Sequence, residues 1–174
     1  MAFVCLDANV CVWGIKRECT PGQEEMLEKA QMLLRQLGRT RKELLIPAPV
    51  VTELLCPVDT ADRQAVMERI YVNGRIGVVD ARAAAISGAI WNQHRENWAD
   101  FYEPGGDGLR NRFKYDLLIL GTAIANNAEC IYTTDSGLIN LASSCGHNIV
   151  GHNLRNMTFG SPQGQHSLFT GPPM

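Results

Sequence analysis

Four acids in this chain stand where a carboxylate has more to do than solvate a surface: Asp7, Glu53, Asp116 and Asp135. Asp7 closes the apolar run from Ala2 to Leu6, and Asp135 closes the run that begins at Cys130. An apolar, partly β-branched run ending on a carboxylate reads as a buried strand whose last residue reaches the sheet edge. In open α/β sheets, ligands bind at the carboxyl ends of the strands. Asp116 is the one acid near the start of the apolar stretch Tyr115 to Ala125, a helix that must be buried and whose charge belongs at its exposed end. Glu53 lies between apolar neighbours on a short helix opened by Pro49. Singly, each has an ordinary role. Asp7 and Asn9 suit a turn or cap, Asp135 can cap a helix starting at Ser136, Asp116 can favour a helix N-terminus, and Glu53 can face solvent. Jointly, four acids aimed at one rim repel and raise one another's pKa, and a divalent cation removes that penalty. Oxygen donors favour Mg²⁺ or Mn²⁺ over zinc, and those ions mostly serve phosphate chemistry, where they acidify a water and stabilise a leaving oxygen.

The elements that must carry these acids alternate along the chain. After the first strand, Val10 to Ile15 reads as a short helix or turn. Thr20-Pro21-Gly22-Gln23 reads as a helix start, with Thr20 as cap, Pro21 at the first position and Gln23 closing a capping box. Met26, Leu27, Ala30, Leu33, Leu34 and Leu37 then recur at helical spacing up to Gly38. Leu44 to Pro47 is a strand, Pro49 to Leu55 a helix broken by Pro57, Thr60 to Val72 a helix, and Ile76 to Val79 a strand. Asp80 caps a helix running to about Gln93. From Asn92 to Phe113, dense Gly and Pro predict an inserted loop. Its Trp98, Phe101 and Tyr102 suit core packing of the insertion better than base stacking. Arg110, Arg112 and Lys114 follow, as a solvated basic stretch or as contacts to phosphates flanking the site. The strand closed by Asp135, a helix from Ser136 to Ala142 and a last strand at Asn148 to Val150 complete the order. Strands alternating with helices predict an α/β fold: a three-layer α/β/α sandwich with a mostly parallel central sheet. One domain spans 1–156, and 157–174 is a Gly/Pro-rich tail, loose or draped over the surface.

The 174 residues suit one domain with a sizeable core, at 45% hydrophobic and 20% charged. A net charge of −2 excludes a strongly basic nucleic-acid binder, but not an enzyme that grips RNA locally through a few Arg and Lys. Six cysteines show neither CxxC pairs nor zinc spacing, which points to a reducing, cytoplasmic setting. Neither a signal peptide nor a membrane span is expected. No P-loop or GxGxxG occurs, and the four histidines form no triad with Ser or Cys.

Leu6-Asp7-Ala8-Asn9, Val50 to Leu54, Tyr115 to Ala123 and Tyr132-Thr133-Thr134-Asp135, taken in that order, resemble the PIN-domain ribonucleases, and most nearly the VapC-like toxins of toxin–antitoxin pairs. The resemblance runs from about Phe3 to Val150. It implies a Mg²⁺- or Mn²⁺-dependent endoribonuclease on a PIN-like, Rossmann-like sheet, with Asp7, Glu53, Asp116 and Asp135 as the acidic cluster. By the same match, Asn9 orients Asp7 or a water on the metal, and Thr133 hydrogen-bonds the metal site. Asp7, Asp116 and Asp135 would hold metal, and Glu53 would hold metal or orient the attacking water. The reaction would be in-line hydrolysis of an RNA phosphodiester to 5′-phosphate and 3′-hydroxyl ends. An RNA substrate and an antitoxin protein are the partners this implies, and the apolar helix Gln23 to Leu37 suits a homodimer or antitoxin face or, with more weight, the core. The 92–113 insertion and the tail are not ordinary features of the compact toxins. A phosphatase of the haloacid dehalogenase type also opens on a strand ending in Asp, but Asn9 and Cys11 stand where its second Asp and its Thr belong. The alternative from another class is an inactive PIN-like module that binds RNA or protein.

Overall fold

The strand that ends at Asp7 lies at the centre of the sheet. In the computed structural model, which describes residues 3–104 and 108–159, five strands pair in parallel: β1 (Phe3–Leu6), β2 (Glu43–Pro47), β3 (Arg75–Gly77), β4 (Ala128–Thr133) and β5 (Val150–Asn153). Their order is β3-β2-β1-β4-β5. The chain therefore builds outward from β1 in one direction, then returns to build β4 and β5 on the other side. Right-handed crossovers then put the helices of the first half on one face and those of the second half on the other, giving the three layers of an α/β/α sandwich.

Among the described residues, seven α-helices connect the strands: α1 (Ala8–Cys11), α2 (Glu24–Arg39), α3 (Ala48–Leu55), α4 (Arg63–Asn73), α5 (Ala81–His94), α6 (Leu109–Ala125) and α7 (Ser136–Ser144). A π-turn at Val12–Lys16 continues α1. The core is continuous through the sheet: Val4, Cys5, Leu6, Leu45, Ile46 and Ile131 are all but inaccessible. Met26, Ala30, Leu33 and Leu37 bury the apolar stripe of α2 in it. Four of the cysteines, at 5, 11, 130 and 145, are buried thiols, and none of the six is disulfide-bonded. No helix among the described residues is long and apolar enough to cross a membrane.

The structure departs from the sequence reading in several places. The 92–113 segment is not one loop. Helix α5 continues to His94, a 3₁₀ turn covers Trp98–Phe101, and α6 begins at Leu109. Residues 105–107 lie outside the described residues. Asp116 is therefore two turns inside α6 rather than near its start, and the basic residues 110–114 lie on its first turns. The reason is that Phe113 is fully buried among Trp91, Trp98, Phe101 and Tyr102, so an aromatic cluster carries the helix past its charged start. Thr20 does not cap α2. The helix begins at Glu24, no side chain caps its N-terminus, and Gln23 instead accepts hydrogen bonds from the Trp13 indole at 3.1 Å and the Thr20 amide at 3.4 Å. Strand β3 stops at Gly77, short of Val78-Val79, and the last strand runs from Val150 rather than ending there. Met157 and Phe159, at the start of the predicted tail, rest on the core. Residues 160–174 lie outside the described residues.

Candidate active site

The site forms where the sheet reverses its winding order. Strands β1 and β4 are adjacent but far apart in sequence, with Leu6 opposite Tyr132, and the connections leave their carboxyl ends in opposite directions. That splay opens the crevice in which doubly wound sheets take their ligands. Asp7 follows β1 directly, and its amide donates to the Tyr132 carbonyl at 3.0 Å. Its Oδ1 accepts the Ala8 amide at 2.7 Å, capping α1, and its Oδ2 accepts the Thr133 hydroxyl at 2.6 Å. Thr133 Oγ1 in turn accepts the Asp135 amide at 2.9 Å. One buried hydroxyl thus ties the ends of both strands together. Asp135 caps α7 through Oδ1, which accepts the Gly137 amide at 2.8 Å. Its Oδ2 accepts Arg112 Nε at 3.0 Å and Nη2 at 2.5 Å. The capping role and the site role of these acids coexist, each taken by a different oxygen.

Asp116 reaches the same crevice from α6. One helical turn separates Arg112 from Asp116 and places them one above the other on one face of α6. The Tyr102 hydroxyl donates to Asp116 Oδ2 at 2.5 Å, and the Arg112 guanidinium lies 5.1 Å from the centre of the Tyr102 ring. Gly137 permits this arrangement, because a Cβ there would stand 2.5 Å from Tyr102 Cε1. Glu53 completes the set from α3 and is exposed. All four acids line one pocket of about 420 Å³, together with Asn9, Arg112 and Tyr115. The Asn9 amide donates to Thr134 Oγ1 at 3.4 Å rather than to Asp7. Of the three basic residues, only Arg112 lines the pocket. Arg110 lies over the Trp91 ring at 5.7 Å, and Lys114 lines a separate apolar groove. Trp98 and Phe101 pack against Phe113 and do not line the pocket. Tyr102 is the site residue the sequence reading assigned elsewhere. The available signal was its hydroxyl, since a buried tyrosine needs an acceptor and Asp116 is the buried acid nearest in sequence.

Burial dominates the electrostatics. Desolvation raises the pKa of Asp7 most; the Thr133 and Ala8 donors pull it back, and Asp135 adds to the rise. The Asp116 carboxyl is pushed up to about 8, first by desolvation and then by Asp135 and Asp7, against the lowering effect of Tyr102 and Arg112. Glu53 is raised by partial burial and then by Asp7. Mutual repulsion is present, as expected from clustered acids, but it is second to the loss of water. Arg112 is held more firmly charged, chiefly by its bond to Asp135.

Among the described residues, no three His, Cys, Asp or Glu side chains are drawn together as a ligand set for a metal ion. Protein donors occupy Asp7 Oδ2, Asp116 Oδ2 and Asp135 Oδ2 instead. The donor chemistry still fits a hard divalent cation. The pocket offers four carboxylates against a single guanidinium, all oxygen and without sulfur or imidazole. Two of these carboxylates, Asp7 and Asp116, are buried to 8% and 6% exposure, where a cation would offset the cost of ionising them.

The family model of the PIN domain matches residues 4–143. The chain belongs to the PIN domain family. Two solved structures share the fold of this PIN domain. VapBC2 from Rickettsia felis, bound to a DNA fragment from its promoter, superposes with a TM-score of 0.59 at 18% identity, covering 87% of this chain and 98% of that one. DNA-bound VapBC from Salmonella typhimurium gives 0.58 at 17% identity, covering 88% and 99%. No curated protein matches the chain in sequence. At these identities the structural likeness speaks for the fold, and the family match rests on the sequence model.

Proposed function

We propose that this PIN domain is a metal-dependent endoribonuclease that acts as the toxin of a toxin–antitoxin pair. The observation that carries the nuclease reading is the convergence of Asp7, Glu53, Asp116 and Asp135, from four separate elements, on one pocket at the switch point of the sheet. Asp7, Asp116 and Asp135 would hold Mg²⁺ or Mn²⁺, and the ion would supply an acidified water and charge stabilisation at the phosphate. Thr133 keeps Asp7 and Asp135 in mutual register. Glu53, exposed and close enough to feel Asp7, would hold the ion or help orient the attacking water. Arg112, which lines the pocket, would take a phosphate oxygen of the substrate once Asp135 is engaged elsewhere. Asn9 stands beside Asp7 and holds the Thr134 side of the rim.

The toxin reading is supported by the two VapBC structures that share the fold. An antitoxin protein would then be the partner. The observation favouring the other reading, a module that binds without cleaving, is that Arg112 already occupies Asp135.

Purified protein incubated with a structured RNA in Mn²⁺, in EDTA, and as Asp7→Asn separates these readings. Cleavage only by the wild-type protein in Mn²⁺ is expected. Cleavage in EDTA, or undiminished in Asp7→Asn, overturns the nuclease assignment, and intact RNA with a shifted band replaces it by binding. A small DNA-binding protein encoded immediately upstream, and co-purifying with this chain, is the outcome expected of a toxin.

A further inference from the structure

A second pocket, of about 430 Å³, opens where the π-turn meets α4, and its walls carry Lys16, Arg17, Arg69 and Asn73. In a chain of net charge −2, three cations around one cavity need an explanation. Their positions are set by the fold. Lys16 is buried, at 6% exposure, and its ammonium pairs with Glu18 at 2.8 Å. Arg69 Nη1 donates to the Lys16 carbonyl at 3.1 Å, which ties α4 to the end of the π-turn. The Asn73 amide donates to the Arg69 carbonyl at 2.7 Å. Arg17 sits in the left-handed region at φ 61°, with its amide on the Val12 carbonyl. Among the described residues, neither Arg17 nor Arg69 has a carboxylate at ion-pair distance, so Glu18 offsets one of the three charges. A π-helical turn is rare and is found frequently at functional sites; this one ends at Lys16, with Arg17 as its cap, and both line the cavity.

We infer that this pocket is a phosphate-binding site. Arg and Lys donors around a polar cavity recognise phosphate oxygens, because their hydrogen bonds to an anion are charge-assisted, and here Lys16 is held by Glu18 and Arg69 by the Lys16 carbonyl, while the exposed Arg17 side chain is available to an anion. The source of the phosphate follows from the path of the chain. Asp7 heads the helical run Ala8–Lys16, so the acidic and basic pockets lie at opposite ends of nine residues, about 13 Å at helical rise. A strand of RNA with its cleaved phosphate at the acids would bring a flanking phosphate to Lys16 and Arg17. That assignment rests on the nuclease proposal; the phosphate site itself does not.

The test uses the full chain carrying Asp7→Asn, in EDTA, with a labelled single-stranded oligouridylate and with sodium phosphate as separate probes. Lys16→Met keeps the aliphatic stem of a buried side chain, and Arg17→Asn keeps a residue that tolerates positive φ. Each is expected to weaken oligonucleotide binding about tenfold and to reduce the slope of log affinity against log salt by about 0.7. Arg39→Ala, an exposed cation on α2 that lines neither pocket, is expected to do neither. Competition by sodium phosphate, lost in the same variants, supports a site that also takes the free ion. Oligonucleotide dependence without such competition assigns the site to the RNA backbone. Unchanged binding of both probes in Arg17→Asn, or an equal loss in Arg39→Ala, overturns the inference. If wild-type protein cleaves no RNA in Mn²⁺ while phosphate binding still depends on Arg17, the nuclease reading falls and the anion site stands.

Discussion

Asp116 is the acid whose surroundings most constrain what it can do. It is buried, its Oδ2 is held by the Tyr102 hydroxyl, and it stays protonated up to a pH of about 8. A carboxyl with a folded pKa above its unfolded value of 3.8 favours folding fully below that value, and the benefit is lost as pH rises towards about 8. Without a divalent ion, therefore, the protein is expected to lose stability across that window, by up to about 1.4 kcal/mol per pH unit for one proton. Asp7 and Glu53 are shifted in the same direction and add to the slope. Thermal melts in EDTA check this: Asp116→Asn should flatten the profile, and a wild-type profile that rises with pH would contradict it. Tyr102 donates to the ionised form of Asp116, so Tyr102→Phe removes the group that makes ionisation easier. Supporting residues of this kind typically change metal affinity 10–100-fold. A loss of about that size in Mn²⁺ affinity, read by calorimetry on a protein with an unchanged far-ultraviolet spectrum, is the expected result. Affinity equal to wild type would make Tyr102 a packing residue only.

Tyr102 reaches Asp116 only because three elements meet without obstruction: the 3₁₀ turn before it, α6, and the first turn of α7. Gly137, the second residue of α7, is the point of closest approach, with the Tyr102 ring and the Phe101 carbonyl where a side chain would begin. Gly137→Ala is expected to cost about 1–3 kcal/mol as an overpacked contact and to lower nuclease activity by displacing the Tyr102 hydroxyl. Denaturant unfolding and cleavage assays, run side by side, check both halves; a stable, fully active variant would show that the turn yields freely. This meeting point also marks the limit of what could be read from the sequence. Asp7 and Asp135 were legible because an apolar strand ending on an acid is a local pattern, and a parallel sheet brings such ends to one side. The register of Asp116 was not. A run of Gly and Pro followed by Arg and Lys hid two helical turns anchored by Leu109 and the fully buried Phe113; core packing of Trp98, Phe101 and Tyr102 was legible, but that they close around Phe113 together with Trp91 shows only in three dimensions. Arg112 was grouped with Arg110 and Lys114 for the same reason. Once the segment is helical, Arg110 and Lys114, four residues apart, share the side that carries Trp91, and only Arg112, four residues before Asp116, meets the acids.

At the scale of the whole molecule, the sheet and the acids depend on each other. The order β3-β2-β1-β4-β5 leaves β1 central and opens a crevice only between β1 and β4, so the acids at those two strand ends have one place to be. They also set buried carboxyl groups against the chain's most buried strands, where Thr133, Tyr102 and Arg112 hold them. A cation that binds the native crevice and not the unfolded chain stabilises the whole PIN domain by mass action, by about 2.7 kcal/mol at ~100-fold over its Kd. For a chain of this size each kcal/mol corresponds to about 2–4 °C, so saturating Mn²⁺ is expected to raise the midpoint of thermal unfolding by about 5–10 °C at neutral pH. The rise should vanish in Asp7→Asn and in Asp135→Asn, each of which removes an acid that faces the crevice while leaving an amide oxygen to cap its helix. It should also shrink as the pH falls, because the ion must then compete with protons for Asp116. An equal rise in both variants would mean that Mn²⁺ binds elsewhere on the molecule, and a rise that grows on acidification would mean that Asp116 takes no part in holding it.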